Sequence, residues 1–197
     1  MKAIRIVLWA LVGLVAAGLG AVTFQTSRGG SAVAVVADIG GPFDLVDQRG
    51  ERVTREDILG KPHAVFFGYT YCPDVCPTTL WEMSQHVAAL GERSDDLRVV
   101  FVSVDVERDT PEALAEYVGA FDPRILALTG TRENVDEAVR AYRAYYKIHP
   151  EDEQGDVLID HTASVYLFDA EGNFEGTIAY QESPDTARAK LERLVGA

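Results

Sequence analysis

The sequence predicts an α/β fold. It is an open sheet with helices on both faces, with an extra N-terminal hairpin, preceded by one transmembrane helix. Three observations predict it. Short apolar runs of buried-strand type alternate with helical stretches along the chain, the pattern of a sheet sandwiched between helices. Two strand-like runs flank the turn Asp47-Gln48-Arg49-Gly50. An uncharged run, Ile6 to Phe24 (IVLWALVGLVAAGLGAVTF), is long enough to span the hydrocarbon core at ~1.5 Å rise per residue.

The chain has 197 residues, 47% hydrophobic and 25% charged, which suits one globular domain with an appendage and excludes wholesale disorder. Its net charge is −13 and no Lys/Arg cluster stands anywhere, so nucleic acid is not an expected partner. The acidity suits a solvated surface, or a preference for cationic partners such as metal ions.

Residues 1–24 form the expected membrane anchor. Lys2 and Arg5 precede the apolar run, which orients it with the N-terminus in the cytoplasm and exports the rest. The run is longer than a typical signal-peptide core and ends at no clean cleavage site, which favours an uncleaved anchor. Residues 25–37 (QTSRGGSAVAVVA) read as a flexible linker and residues 38–197 as the folded domain.

Within that domain, Gly40-Gly41-Pro42 is a turn. Phe43–Leu45 and Arg52–Thr54 make the hairpin, and Ala64–Tyr69 is a buried strand. Thr78–Leu90 reads as a helix, from Leu80, Met83, Val87 and Leu90 at helical spacing. Leu97–Val104 is a second buried strand. Thr110 and Pro111 open a helix as N-cap and first residue, running to Phe121. Ile125–Leu128 is a short strand, and Asn134 is the expected cap of a helix reaching Tyr146. Ser164–Phe168 and Phe174–Ala179 form a second hairpin, and Pro184–Val195 closes the chain as a helix.

Cys72 and Cys76 are the only cysteines, which excludes a disulfide-rich scaffold. They lie where a buried strand gives way to a helix, the place where open α/β sheets put their chemistry. The N–H groups and partial positive charge of a helix N-terminus favour thiolate over thiol. Cysteines four apart on the first turn point to one side, close enough to share a soft ion or form a disulfide. Thiolates favour Cu(I), with imidazole as a compatible added ligand. Of the four histidines, His63, His86 and His149 read as packing or surface residues. His161, in Asp160-His161-Thr162-Ala163 just before a strand, belongs to a loop that can reach the strand-to-helix turn. Asp160 is a candidate to orient it, or a turn residue. Asp74 is a candidate helix cap, and Tyr69 and Tyr71 read as packing or docking surface.

The motif Gly68-Tyr69-Thr70-x-Cys72-Pro73-Asp74-x-Cys76-Pro77-x-x-Leu80 resembles the metal motif of the Sco/SenC family of cytochrome oxidase assembly proteins. Ser103-Val104-Asp105-x-Glu107-Arg108-Asp109-Thr110-Pro111 resembles the family's second block. Asp160-His161-Thr162-Ala163-x-x-Tyr166-Leu167-x-Asp169-x-x-Gly172 resembles its third. Val106 stands where a proline is common. The resemblance implies a thioredoxin-like fold and copper, Cu(I) and/or Cu(II), held by Cys72, Cys76 and His161. It implies a metallochaperone for the binuclear copper centre of cytochrome c oxidase, on the periplasmic side of the membrane. Its expected partners are the copper-bearing oxidase subunit and the membrane, with another copper chaperone or a thioredoxin-like reductant as further candidates. The alternative is a thiol–disulfide oxidoreductase using Cys72 and Cys76 as a catalytic redox pair, which needs no imidazole. Against it, no proline stands beside His161, where thioredoxins place a cis-proline. A peroxiredoxin-like peroxidase is disfavoured because Tyr69, not a Ser or Thr, lies three residues before Cys72.

Overall fold

The computed structural model describes residues 39–196 together with Trp9. Apart from Trp9, the expected anchor and linker lie outside these residues. Among the described residues no helix is long and apolar enough to cross a membrane.

The first hairpin pairs β1 (Asp44–Asp47) with β2 (Arg52–Thr54) in antiparallel register, Leu45 opposite Val53. Its turn is closed by Asp47, whose Oδ1 accepts the N–H groups of Arg49 (2.8 Å) and Glu51 (3.0 Å). A short helix, α1 (Arg55–Ile58), leads into β3 (His63–Gly68). Then come α2 (Val75–Ala89), β4 (Arg98–Ser103), α3 (Pro111–Gly119), β5 (Leu126–Thr129) and α4 (Arg132–Ala141). Two short strands, β6 (Tyr146–Ile148) and β7 (Ile159–His161), precede the closing β8 (Val165–Phe168), β9 (Phe174–Ile178) and α5 (Pro184–Val195).

All strands but β6 and β7 make a seven-stranded sheet in the order β2-β1-β5-β4-β3-β8-β9. Its centre, β3-β4-β5, is parallel, and its flanks are antiparallel. Both parallel connections step the same way across the sheet, so right-handed crossovers put α2 and α3 on one face. On that face Phe66 meets Phe101, and Phe101 meets Tyr117 of α3. On the other face Phe67, Tyr166 and Phe168 pack around Tyr142, at the end of α4. Side chains alternate along β3, and with helices on both sides every position of that strand is buried. Burying each Val or Phe there contributes about 1.5–3 kcal/mol. His63 belongs to this packing: it stacks on Phe168, with its Nδ1 3.1 Å from the Lys61 carbonyl.

Four sequence expectations need correction. The helix carrying Cys76 starts at Val75, not Thr78, because Pro77 tolerates a first turn, where its missing N–H is no loss. The cap of α4 is Thr131, whose Oγ1 accepts the Asn134 N–H at 3.2 Å. That helix ends at Ala141, not Tyr146, because Tyr142 is drawn into the core and Arg143 turns into the left-handed region (φ 51°). Tyr146 instead starts β6, which pairs with β7 as a separate antiparallel ribbon, Tyr146 opposite His161. His161 therefore ends a strand and does not lie in a loop.

Candidate metal centre

Strand β3 runs buried to Gly68, and the residue type there is dictated by a sulfur packed against it. A Cβ on Gly68 would lie 2.5 Å from the Cys76 sulfur and 2.8 Å from Phe101 Cε2. Only glycine leaves room for that sulfur beneath the strand end. The chain then turns through residues 69–74, with the Cys72 N–H donating to the Tyr69 carbonyl (3.3 Å), and enters α2.

Asp74 occupies the N-cap position of α2, but its carboxylate caps no helix N–H. It accepts instead from the Tyr180 hydroxyl at 3.4 Å. The capping acceptor is sulfur: the Cys76 N–H donates to Cys72 Sγ at 3.4 Å. Cys72 thus precedes the helix and Cys76 lies in its first turn. Their environments differ. Cys72 is 9% exposed and Cys76 fully buried. A hydrogen bond from Cys76 pulls the Cys72 thiol down to about 3, aided by backbone N–H groups. Burial pushes the Cys76 thiol up, and the neighbouring Cys72 sulfur adds to the effect. The reduced pair is therefore a thiolate beside a thiol.

The turn rests on the loop that succeeds β4. The Asp109 carboxylate accepts the Thr70 N–H (2.9 Å), the Thr70 hydroxyl (2.6 Å) and the Ser103 hydroxyl (2.5 Å). Ser103 Oγ in turn accepts the Asp105 N–H at 3.0 Å. Asp109 is buried, yet each of its bonds has a donor, which is what a buried carboxylate requires. The second sequence block was legible as a motif, but its task of supporting the cysteine turn was not.

His161 arrives on β7 from the other side. Its Nε2 lies 3.2 Å from Cys76 Sγ and 3.8 Å from Cys72 Sγ. Its Nδ1 lies 3.1 Å from the Thr162 carbonyl, which can only accept, so Nδ1 carries the proton and Nε2 presents its lone pair to the sulfurs. Phe66 and Tyr69 meet the ring edge-on, at 5.8 and 5.9 Å between centroids. Asp160 does not orient this ring. Alternate residues of a strand face opposite ways, and Asp160 turns outward to pair with His149 Nε2 at 2.7 Å. Tyr69 is buried, and its hydroxyl accepts the Ile159 N–H at 3.2 Å, whereas Tyr71 is 61% exposed at the rim. His63 and His86 lie outside the cluster.

The ligand atoms of Cys72, Cys76 and His161 all lie within 4.8 Å of one another. Two sulfurs and one imidazole nitrogen, with the imidazole tautomer set by a main-chain carbonyl, form a donor set suited to a soft or borderline cation.

Comparison with known proteins agrees with this geometry. The SCO1/SenC family profile matches residues 32–196. The chain is 48% identical over 138 residues to the human mitochondrial protein SCO1 homolog, covering 69% of this chain and 46% of that one. It is 46% identical over 138 residues to protein SenC of Rhodobacter capsulatus, covering 70% and 62%. The match thus spans about half to three-fifths of these relatives' length. Among solved structures it is similar to Bradyrhizobium japonicum ScoI with copper bound, at 44% identity and a TM-score of 0.73, covering 79% of this chain and 99% of that one. It is also similar to yeast Sco1 with copper bound, at 35% identity and a TM-score of 0.75, covering 81% and 90%. The fold is thus the thioredoxin-like α/β fold of these proteins, with a mixed sheet. With the profile covering nearly all of the folded domain and the cysteine pair and histidine gathered at one point, this chain belongs to the SCO1/SenC family.

Proposed function

We propose that this chain is a membrane-anchored copper metallochaperone, which delivers copper to, or prepares the cysteines of, the binuclear copper centre of a cytochrome c oxidase. One observation carries the reading: the donor atoms of Cys72, Cys76 and His161 converge within 4.8 Å. Dithiol exchange needs only the two sulfurs, whereas a metal gains a third donor from an imidazole so placed. Copper bound to two similar proteins supports the choice of metal. In this reading the Cys72 thiolate meets the ion first, the Cys76 thiol releases its proton as copper enters, and His161 supplies a neutral nitrogen. The test is copper content. The reduced soluble domain should hold one copper per chain, and oxidation of the pair to a disulfide should remove it. Equal copper content in both states would overturn the reading.

The anchor at residues 1–24, the linker at 25–37 and the folded domain at 38–197 complete the proposal, with the folded domain on the periplasmic side. A phosphatase fused after Ala197 should be active only outside the cytoplasm. Activity of a cytoplasm-only reporter at that position would defeat this topology.

A second reading, thiol–disulfide exchange, is favoured by the unequal thiols. The Cys72 thiolate would attack a substrate disulfide, and Cys76 would then resolve the mixed disulfide. The substrate leaves reduced and the Cys72–Cys76 pair oxidised, to be renewed by a thioredoxin-like reductant.

A further inference from the structure

The ribbon that delivers His161 has a free edge. The main-chain groups of Leu158 and Asp160 turn toward β6, where the His149 N–H donates to the Leu158 carbonyl and Lys147 pairs with Asp160. Those of Val157, Ile159 and His161 therefore turn away from β6, and no strand of the described residues pairs with them. Two side chains meet that edge. Arg108 Nη2 donates to the Val157 carbonyl at 2.9 Å, and the Ile159 N–H donates to the Tyr69 hydroxyl at 3.2 Å. They take up successive outward groups along the edge, and the next residue along it is His161.

Arg108 is itself fixed. Its Nε donates to the Asp105 carboxylate, and its guanidinium lies 4.6 Å from the Tyr71 ring centroid and 5.9 Å from that of Tyr69. One planar group thus touches the loop after β4, both tyrosines of the cysteine turn, and the strand that carries His161. Because it is committed to Asp105 and to a carbonyl, it is not a free charge awaiting an anion.

We infer that Arg108, together with the Tyr69 hydroxyl, is a positioning clasp that stands in for the missing neighbour strand of β7 and sets the distance of His161 from Cys72 and Cys76. The inference rests on the proposed copper function for its consequence, but not for its geometry. Neither side chain is a metal ligand; the clasp acts on the site through His161, while the Tyr69 main chain separately holds the Cys72 N–H.

Arg108→Lys is the informative substitution. It keeps a charge against Asp105 and so preserves the fold, but a single ammonium cannot reproduce the fork that also reaches Val157. Cu(II) affinity of the domain should fall about tenfold, the scale of losing one hydrogen bond from a charged donor. In a His161→Ala background the same substitution should change affinity by less than about twofold, since its route to the metal is gone. Equal losses in both backgrounds, or no loss in either, would overturn the clasp. A copper-free readout separates this from failure of the copper reading. Nuclear Overhauser contacts from the His161 ring to Phe66 and Tyr69 should weaken in Arg108→Lys and in Tyr69→Phe. Unchanged contacts in both variants would overturn the clasp even if the wild-type protein bound copper. If the wild type takes up no copper at these residues, the proposed function falls, and the ring contacts still decide the clasp.

Discussion

A domain in which Cys72 and Cys76 are both alanine should hold no Cu(I), where the reduced wild-type domain holds one ion per chain. Cu(I) is soft and gains most from thiolate, so removing both sulfurs leaves only the single nitrogen of His161. Copper analysis after desalting measures the difference, and a double variant that retained wild-type copper would place the site elsewhere. The fold should survive, because the strand and the helix that flank the turn are held by their own burial. The two thiols should also differ in reactivity. Cys72 lies below its ordinary value, so its thiolate persists as pH falls and is lost only as pH falls through about 3. Cys76 lies above its ordinary value and stays a thiol throughout. In the reduced, metal-free domain an alkylating agent at about pH 5 should therefore label Cys72 and spare Cys76, as read by peptide mass. Equal labelling would mean that the hydrogen bond between the two sulfurs does not govern their acidities.

Replacing His161 with alanine should separate the metal site from a plain dithiol. Cu(II) binding should weaken by at least about a hundredfold, because the borderline cupric ion gains much from imidazole and the substitution removes one of three donors. Cu(I) should stay on the two sulfurs, held more loosely, and the pair should still close to a disulfide. The ring makes edge contacts with Phe66 and Tyr69, worth about 1 kcal/mol each, so the variant should fold with modestly lower stability. Titration with each oxidation state, alongside a disulfide-reduction assay, reads the split. In cells, oxidase activity should fall while general thiol reduction is kept. Loss of thiol reduction together with unchanged Cu(II) affinity would return the cysteines to the oxidoreductase reading.

The long elements of this fold were legible because each rests on a local signal. The buried strands at 63–68 and 98–103 are apolar runs, α3 begins with Thr110 and Pro111, and α5 opens at Pro184. The cysteine pair was legible too, since two cysteines four apart at a strand-to-helix junction have few alternatives. The β6–β7 ribbon was not. Its strands have three residues each, too few to show a period, and the polar stretch 149–158 separates them. The end of α4 was missed for a related reason: Tyr142, Tyr145 and Tyr146 continue a helical pattern, and the break lies in the backbone angle of Arg143.

The sequence singled out the atoms that the structure gathers at one point: two sulfurs at a helix entrance and, through its family resemblance, one particular histidine. How they are poised is set by packing. Which sulfur is the thiolate depends on the hydrogen bond from the Cys76 thiol to Cys72 and on the burial of Cys76, and neither can be read from a one-dimensional string. Which nitrogen of His161 faces the sulfurs depends on the Thr162 carbonyl, and Asp160, its sequence neighbour, faces away because a strand alternates its sides. The support of the site comes from Asp109 and Arg108, 37 and 36 residues beyond Cys72. Hydrogen bonds between segments so far apart form only when the sheet brings the ends of β3 and β4 side by side, which is a property of packing and not of local sequence.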